Sequence, residues 1–199
     1  MAEGVAQDTY IAFLRAVNVG GRKAPMALVR ELFAELGLRD VRSYIASGNV
    51  FFTLPESGPA PAAGAGGADR PGLTRAIEER LRTGLGFEVP VMLRTVAELE
   101  AALLESPFDQ VEVTPEVRLS VVFTSAPLTG LTLPLRSPKG DWEVLGTSRT
   151  SSELFVVMRL EKGRLGGNPI AGIEKNFDVL ATARFFHTTA KILAAARKS

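Results

Sequence analysis

Two short polar turns, each ending an apolar run, contain the residues of this sequence best suited to chemistry. Residues 14–22 read L-R-A-V-N-V-G-G-R, and residues 44–52 read Y-I-A-S-G-N-V-F-F. Adjacent glycines let a ligand approach the backbone closely, and the amides at the start of a helix favour an anion. We therefore predict that the two turns form a binding site for an anionic small molecule. Its candidate ligand-binding residues are Arg15, Asn18, Gly20, Gly21, Arg22, Ser47, Gly48, Asn49 and, from the second half of the chain, Arg184.

Arg15 is the candidate that most needs a partner. Residues 10–17 form an apolar run of strand length with bulky side chains at both parities, which predicts a strand buried on both faces. An arginine among such neighbours requires an acceptor, which is either a structural carboxylate or a ligand. The sequence leaves both alternatives open.

The other residues of the two turns also have structural interpretations. Gly20-Gly21 followed by Arg22 and Lys23 is typical of a glycine turn with solvated cations, and its spacing is not that of a Walker loop. Asn18 and Asn49 favour turns through bonds from their side chains to nearby backbone. A binding role therefore depends on the turns being brought together.

Two further features of the second half carry weaker hypotheses. His187 is the only histidine, and its position before the last predicted helix indicates an exposed residue more than a general base. The glycine-rich run 163–169, G-R-L-G-G-N-P, is typical of a surface turn, with a second anion loop as the alternative. Neither feature indicates a reaction.

The order of elements predicted for the first half is β-α-β-β-α-β, the ferredoxin-like plait. That plait orders its strands 4-1-3-2, so the first and third strands are neighbours and the two turns lie at one end of the sheet. The fourth strand contains Pro90, which cannot donate to a ladder and suits the edge position. The predicted strands are 10–17, 41–46, 49–53 and 87–94, and the predicted helices are 25–36 and 73–83.

The second half predicts another layer of helices and strands, which we interpret as a second plait-like unit. The predicted fold class is therefore α/β (α+β), with domains at 1–94 and 95–199 and a flexible Pro/Ala/Gly loop over 55–72. The predicted elements are helix 95–104, strand 117–124, a hairpin of 142–146 with 154–160, a short helix from 170, strand 179–184 and helix 188–197.

Composition excludes several classes of site. The 199 residues are 46% hydrophobic and 23% charged, with a net charge of +1, so no whole-chain field attracts nucleic acid. There is no cysteine, which excludes disulfides and thiolate ligands, and a single histidine disfavours zinc or iron. We expect a cytoplasmic protein with no metal, no cofactor and no membrane partner, because no apolar run approaches membrane length.

The two motifs, in this order and spacing, resemble an uncharacterised bacterial family of domains of unknown function, the DUF1697-like family. The resemblance is specific over residues 10–52. It implies a pair of ferredoxin-like units and supplies no reaction. The family's C-terminal motif T-T-R-N-W-N-T corresponds to residues within 181–188, which keep Arg184 and Thr188 but lack both asparagines and have Phe186 in place of tryptophan.

The leading functional hypothesis is a protein that binds a small anion or a phosphate-bearing small molecule. RNA or other nucleic-acid binding is the first alternative, because plait sheets often present a face to RNA; the strands lack the RNP aromatic pattern, which disfavours it. A protein-interaction module is the second alternative. Whether the protein is an enzyme, and in which oligomeric state it exists, is left open by the sequence.

Overall fold

The computed structural model describes residues 8–55 and 69–198. These residues form an α+β fold with two antiparallel sheets. The helices are Met26–Ala34 (α1), Arg70–Leu85 (α2), Val96–Leu104 (α3), Pro169–Phe177 (α4) and Phe186–Ala196 (α5), and a single 3-10 turn covers Pro107–Gln110. The strands are Tyr10–Leu14 (β1), Arg39–Ser43 (β2), Asn49–Thr53 (β3), Val91–Thr95 (β4), Val117–Thr124 (β5), Leu135–Arg136 (β6), Trp142–Thr147 (β7), Glu153–Glu161 (β8), Arg164–Leu165 (β9) and Ala181–Phe185 (β10).

Backbone contacts divide the chain into two compact units. Unit 1 is Met1–Ala97 with Ala195–Ser199, and unit 2 is Glu98–Ala194. The first sheet belongs to unit 1 and has the order β4-β1-β3-β2, which is the order that the sequence predicts. Strand β4 lies at an edge and begins directly after Pro90. The ferredoxin-like assignment of the two units stays a prediction.

The core of unit 1 follows from the alternation of side chains along its strands. One face of β1 and β3, with Leu14 and Phe52, packs with Val29 and Phe33 of α1 and Ile77 of α2. The opposite parity is buried as well, and every residue of β1 is buried. This burial on both faces agrees with the bulky residues at both parities of the sequence.

The sheet of unit 2 has the order β10-β5-β8-β7-β6, with β9 paired to β8. Without β6, its four main strands repeat the order of the first sheet: last, first, third, second in chain order. The connection from β5 to β7 contains β6 where unit 1 has helix α1. Helix α4 packs closely, since a Cβ on Gly172 would lie 2.5 Å from the Trp142 ring.

Corresponding backbone hydrogen bonds recur in the two units. After the first strand of each, the N–H of Arg15 donates to the carbonyl of Pro90 over 2.9 Å, and that of Ser125 donates to Leu180 over 2.8 Å. Both acceptors directly precede the edge strands, β4 and β10. The two halves therefore share local geometry that their sequences do not make visible.

Carboxylates hold the same edge strands. Glu78 of α2 accepts from the N–H of Val91 over 2.8 Å, and Glu174 of α4 accepts from the N–H of Ala181 over 2.8 Å. In each case a helix side chain satisfies the first N–H of an edge strand, a group that would otherwise lie beside buried apolar side chains.

Several predicted boundaries are wrong by a few residues. Strand β1 ends at Leu14, because Ala16 adopts a left-handed φ of 56° that no strand continues. Helix α2 begins at Arg70, so residues 70–72 of the predicted loop are helical. Its proline lies in the first turn, where a backbone N–H would have no partner within the helix, so its absence costs no hydrogen bond. The predicted flexibility of that loop concerns mainly residues 56–68, which lie outside the described residues. Across residues 8–55 and 69–198, the helices are all too short or too polar to cross a membrane.

Candidate functional site

The side chain of Asn18 joins the two turns. Its Nδ2 donates to the carbonyl of Ala46 over 2.8 Å and to that of Ala24 over 3.2 Å, while Oδ1 accepts from the N–H of Ala24 over 2.9 Å. Both protons of the amide are therefore used within unit 1. The convergence of the turns agrees with the sequence, and Asn18 acts as the residue that positions them.

The β2–β3 turn is closed by Asn49. The N–H of Tyr44 donates to the carbonyl of Asn49 over 2.9 Å. The Asn49 amide donates to the Tyr44 carbonyl and to the Ser47 hydroxyl oxygen, each over 3.1 Å. Because Asn49 is fully buried, it shapes the turn and orients Ser47, whereas Ser47 itself is exposed.

Gly48 is required by the close approach of the two turns. Its φ is 74°, and a Cβ at this position would lie 2.4 Å from Cγ2 of Val17 and 2.9 Å from Cβ of Leu14. Its carbonyl accepts from the N–H of Leu14 over 2.8 Å. Only glycine fits both the dihedral angle and the space.

Arg15 lies one residue beyond β1 rather than within it, which corrects the prediction that it is part of an apolar strand. Its side chain is half-buried, and its N–H bonds to the carbonyl of Pro90. The left-handed Ala16 that follows turns the chain away from the sheet. Arg15 is thus placed at the edge where the two turns meet.

Gly20 and Gly21 form the open part of the first turn. Their φ angles are 58° and 85°, and no atom lies within 4 Å of a Cβ built on either residue. Both are exposed. The backbone here is therefore accessible, in contrast to the tightly packed Gly48.

The cations that follow these glycines have no carboxylate partner among the described residues. The guanidinium of Arg22 lies over the Phe87 ring, 5.7 Å from its centroid, and Lys23 is exposed. Helix α1 then begins after Pro25 without a capping side chain and without an acid in its first turn. The positive charges of Arg22 and Lys23 therefore precede the positive end of the α1 helix dipole.

Arg184 belongs to unit 2, on the edge strand β10. Its guanidinium donates to the carbonyl of Ala183 over 2.8 Å and to the hydroxyl of Thr182 over 3.0 Å. Burial lowers the pKa of Arg184 to about 10, so it remains protonated at neutral pH. Arg94 has the same fourth position on β4 and donates to the carbonyl of Leu93 over 2.7 Å. Sequence reasoning missed Arg94, which is buried, because only the matching strand positions relate it to Arg184.

Two apolar side chains on these turns are exposed, which the sequence did not predict. Val19 is 56% exposed and Ile45 is 50% exposed. Ile45 has a φ of 50°, which is unusual for a branched side chain. Their places in the two motifs could have drawn attention to them, but their exposure could not be foreseen from apolar residue types.

The glycine-rich run 163–169 lies against a carboxylate of the protein itself. From its sequence, a second anion-binding loop was the alternative interpretation of this run. A Cβ on Gly166 or Gly167 would lie 2.6 or 2.8 Å from Oδ2 of Asp141. Asn168 caps the following helix by accepting from the N–H of Ile170 over 3.0 Å. A cavity of about 470 Å³ beside this run contains none of the candidate residues; it is lined by Glu161, Lys162, Arg164, Leu165 and Gly166.

The remaining hypotheses can be compared with the same structure. His187 is exposed and stacks on Phe185, with ring centroids 5.9 Å apart. The strands β1, β3 and β4 are buried on both faces, so their aromatic residues are not available for stacking with RNA bases. Among the described residues, no three His, Asp or Glu side chains are grouped as metal ligands would be.

Comparisons with known proteins agree with this architecture. The conserved bacterial protein SP0830 from Streptococcus pneumoniae has a similar solved structure, with a TM-score of 0.66 and 21% sequence identity over 97% of this chain and 100% of that chain. No curated protein matches the chain. The model of a family described as "Protein of unknown function (DUF1697)" matches residues 8–145. Since that match spans well over half of the sequence, the chain belongs to the DUF1697 family, as its two motifs predicted.

Proposed function

We propose that unit 1 binds a small anion, or a small molecule carrying a phosphate, on the turns 15–22 and 47–49. The observation that carries the proposal is the uncompensated positive charge at the start of α1. This helix has no capping side chain and no acid in its first turn. An anion there would accept hydrogen bonds from the first N–H groups and offset the charge.

The cations beside this helix support the same ligand. Neither Arg22 nor Lys23 has a carboxylate partner in the described part of the chain, although both precede the positive end of a helix dipole. Such an arrangement is unfavourable by itself and becomes favourable when an anion is bound. Arg15, at the same edge, is the third proposed cation of the site.

The open backbone of Gly20 and Gly21 supports a close approach by the ligand, since no side chain lies within 4 Å of their Cβ positions. The bond from Asn18 to Ala46 holds this turn before any ligand arrives. A site that is already ordered loses less conformational entropy on binding. We assign ligand contact to the glycines and cations, and positioning to Asn18 and Asn49.

The experiment is a thermal-shift screen of inorganic phosphate, nucleotides and phosphorylated metabolites. A ligand at about 100 times its Kd stabilises the folded protein by roughly 2.7 kcal/mol. For a chain of this size that corresponds to a rise in Tm of roughly 5–10 °C. Amide NMR shifts then locate the ligand, and the proposal expects the largest changes at Gly20 and Gly21.

A matched pair of variants separates binding from folding. Gly21 has a φ of 85° and Gly37 a φ of 78°, and both have open space around the Cβ position. Gly21→Ala and Gly37→Ala should therefore lose similar stability, while only Gly21→Ala should reduce the ligand-induced rise in Tm. No rise with any compound, or equal rises in both variants, would contradict the proposal. Salt-sensitive binding of single-stranded RNA in place of small anions would favour the nucleic-acid alternative.

A further inference from the structure

The anion site has two exposed apolar side chains on its two turns. Val19 is 56% exposed and follows Asn18; Ile45 is 50% exposed and precedes Ala46. The hydrogen bond of 2.8 Å between Asn18 and Ala46 joins the chain neighbours of these two residues. Both apolar side chains are therefore held at the place where the turns meet.

Ile45 is unfavourable at its position for two independent reasons. Its φ of 50° lies in the left-handed region, where glycine or asparagine costs less than a β-branched residue. Half of its surface is also exposed, so packing within the fold offsets little of that strain. Strained residues of this kind cluster at ligand-binding positions.

The charge carried by the two turns and by the start of α1 indicates the partner. Residues 15–25 and 44–49 contain the cations Arg15, Arg22 and Lys23 and no aspartate or glutamate. A partner complementary to Arg22, Lys23 and the two apolar side chains is anionic and also covers apolar surface. Two turns offer little area, which fits a small molecule better than a second protein.

We infer that the ligand of this site is an amphiphilic organic anion, in which a phosphate or carboxylate is joined to an apolar group that covers Val19 and Ile45. The inference rests on the proposed function, because the anionic part occupies the glycine turn. The apolar part gives this ligand a higher affinity than inorganic phosphate has. Burial of apolar surface adds affinity without adding charge.

The experiment compares inorganic phosphate with hexyl phosphate by calorimetry on the full chain. We expect hexyl phosphate to bind at least about tenfold more tightly, since a few buried methylene groups suffice for that ratio. Val19→Ser and Ile45→Asn should reduce the ratio to near one, because the apolar surface that covers the alkyl chain is lost. Ile45→Asn should also raise Tm, because asparagine tolerates the left-handed backbone.

The control variant is Val113→Ser, which removes an apolar side chain that is 66% exposed in unit 2 and should leave the ratio unchanged. Equal affinity for both anions would overturn this inference and leave the proposed function intact. Binding of neither anion would overturn both. Binding to vesicles of anionic lipid but not to hexyl phosphate would overturn the small-molecule assignment and indicate a membrane surface instead.

Discussion

Asn18 donates its side-chain amide to the carbonyl of Ala46, 2.8 Å away, although the two residues are separated by 28 positions. A single exposed side chain thereby fixes the turn after β1 against the turn before β3. The same amide group also closes its own turn through both backbone groups of Ala24. The geometry of the candidate site therefore depends on one residue that does not itself need to contact a ligand.

Asn18→Ala should destabilise unit 1 by about 1–3 kcal/mol, because it removes three hydrogen bonds and leaves backbone groups without their partners. Urea unfolding measures the change in the free energy of unfolding. Asn176→Ala is the control, since it removes a single exposed bond to Gly172 within α4 and should change stability by less than about 0.5 kcal/mol. Equal losses in the two variants would show that Asn18 does not join the turns.

Gly48→Ala should cost about 2–4 kcal/mol, since the left-handed φ and the overlap with Val17 both oppose a side chain. Gly130→Ala isolates the first of these effects, because Gly130 has a φ of 72° against 74° for Gly48 and open space around its Cβ position. It should cost only about 1 kcal/mol. Thermal unfolding of both variants decides: a loss at position 48 no larger than at position 130 would mean that Val17 moves aside freely.

The sequence predicted the fold best where the hydrophobic pattern alone determines an element. Strand β5, with its alternating residues, was predicted with the observed bounds, as was β3. The two-residue strands β6 and β9 were not predicted, because they exist through pairing with β7 and β8 rather than through a local pattern. The start of α2 was missed because Pro71 and Gly72 are typical of a loop. Proline is compatible with a helix here only because it lies in the first turn.

The arrangement of the two turns of the candidate site was predictable in outline and not in detail. The strand order alone placed the two motifs at one end of the sheet, as the bond from Leu14 to Gly48 bears out. The apolar run hid the end of β1, because nothing in the residue type of Ala16 indicates a left-handed φ. The strain at Ile45 was likewise invisible, since branched residues rarely adopt that conformation.

The carboxylates that hold the two edge strands give a third prediction. Glu78→Ala and Glu174→Ala should each cost about 1–3 kcal/mol, because each removes the hydrogen bond that its carboxylate accepts from the N–H of Val91 or Ala181 beside buried side chains. The corresponding glutamine variants should lose far less, because the amide oxygen also accepts a hydrogen bond. Chemical unfolding of the four variants tests this, with the exposed Glu31→Ala as control. A glutamine variant as unstable as its alanine counterpart would exclude the hydrogen bond as the cause.

The last prediction is a pH dependence at Glu78. Burial raises the pKa of this carboxyl above its ordinary value of 4.5; the bond from Val91 lowers it by less, and the charge of Glu88 raises it further. The folded protein therefore favours the protonated form of Glu78. The stability that this protonated carboxyl contributes is complete below pH 4.5 and is lost as the pH rises through the folded pKa. Relative to Glu78→Gln, which does not titrate, the native protein should become less stable across that window.

Glu79→Gln is the control with the opposite sign, because the hydrogen bond from Arg82 lowers the pKa of Glu79. The measurement is the free energy of unfolding of each variant between pH 3.5 and pH 7. This range begins about one pH unit below the ordinary pKa of the carboxyl and extends well above it. A native protein that gains stability relative to Glu78→Gln as the pH rises would show that the bond from Val91, rather than burial, dominates this carboxyl.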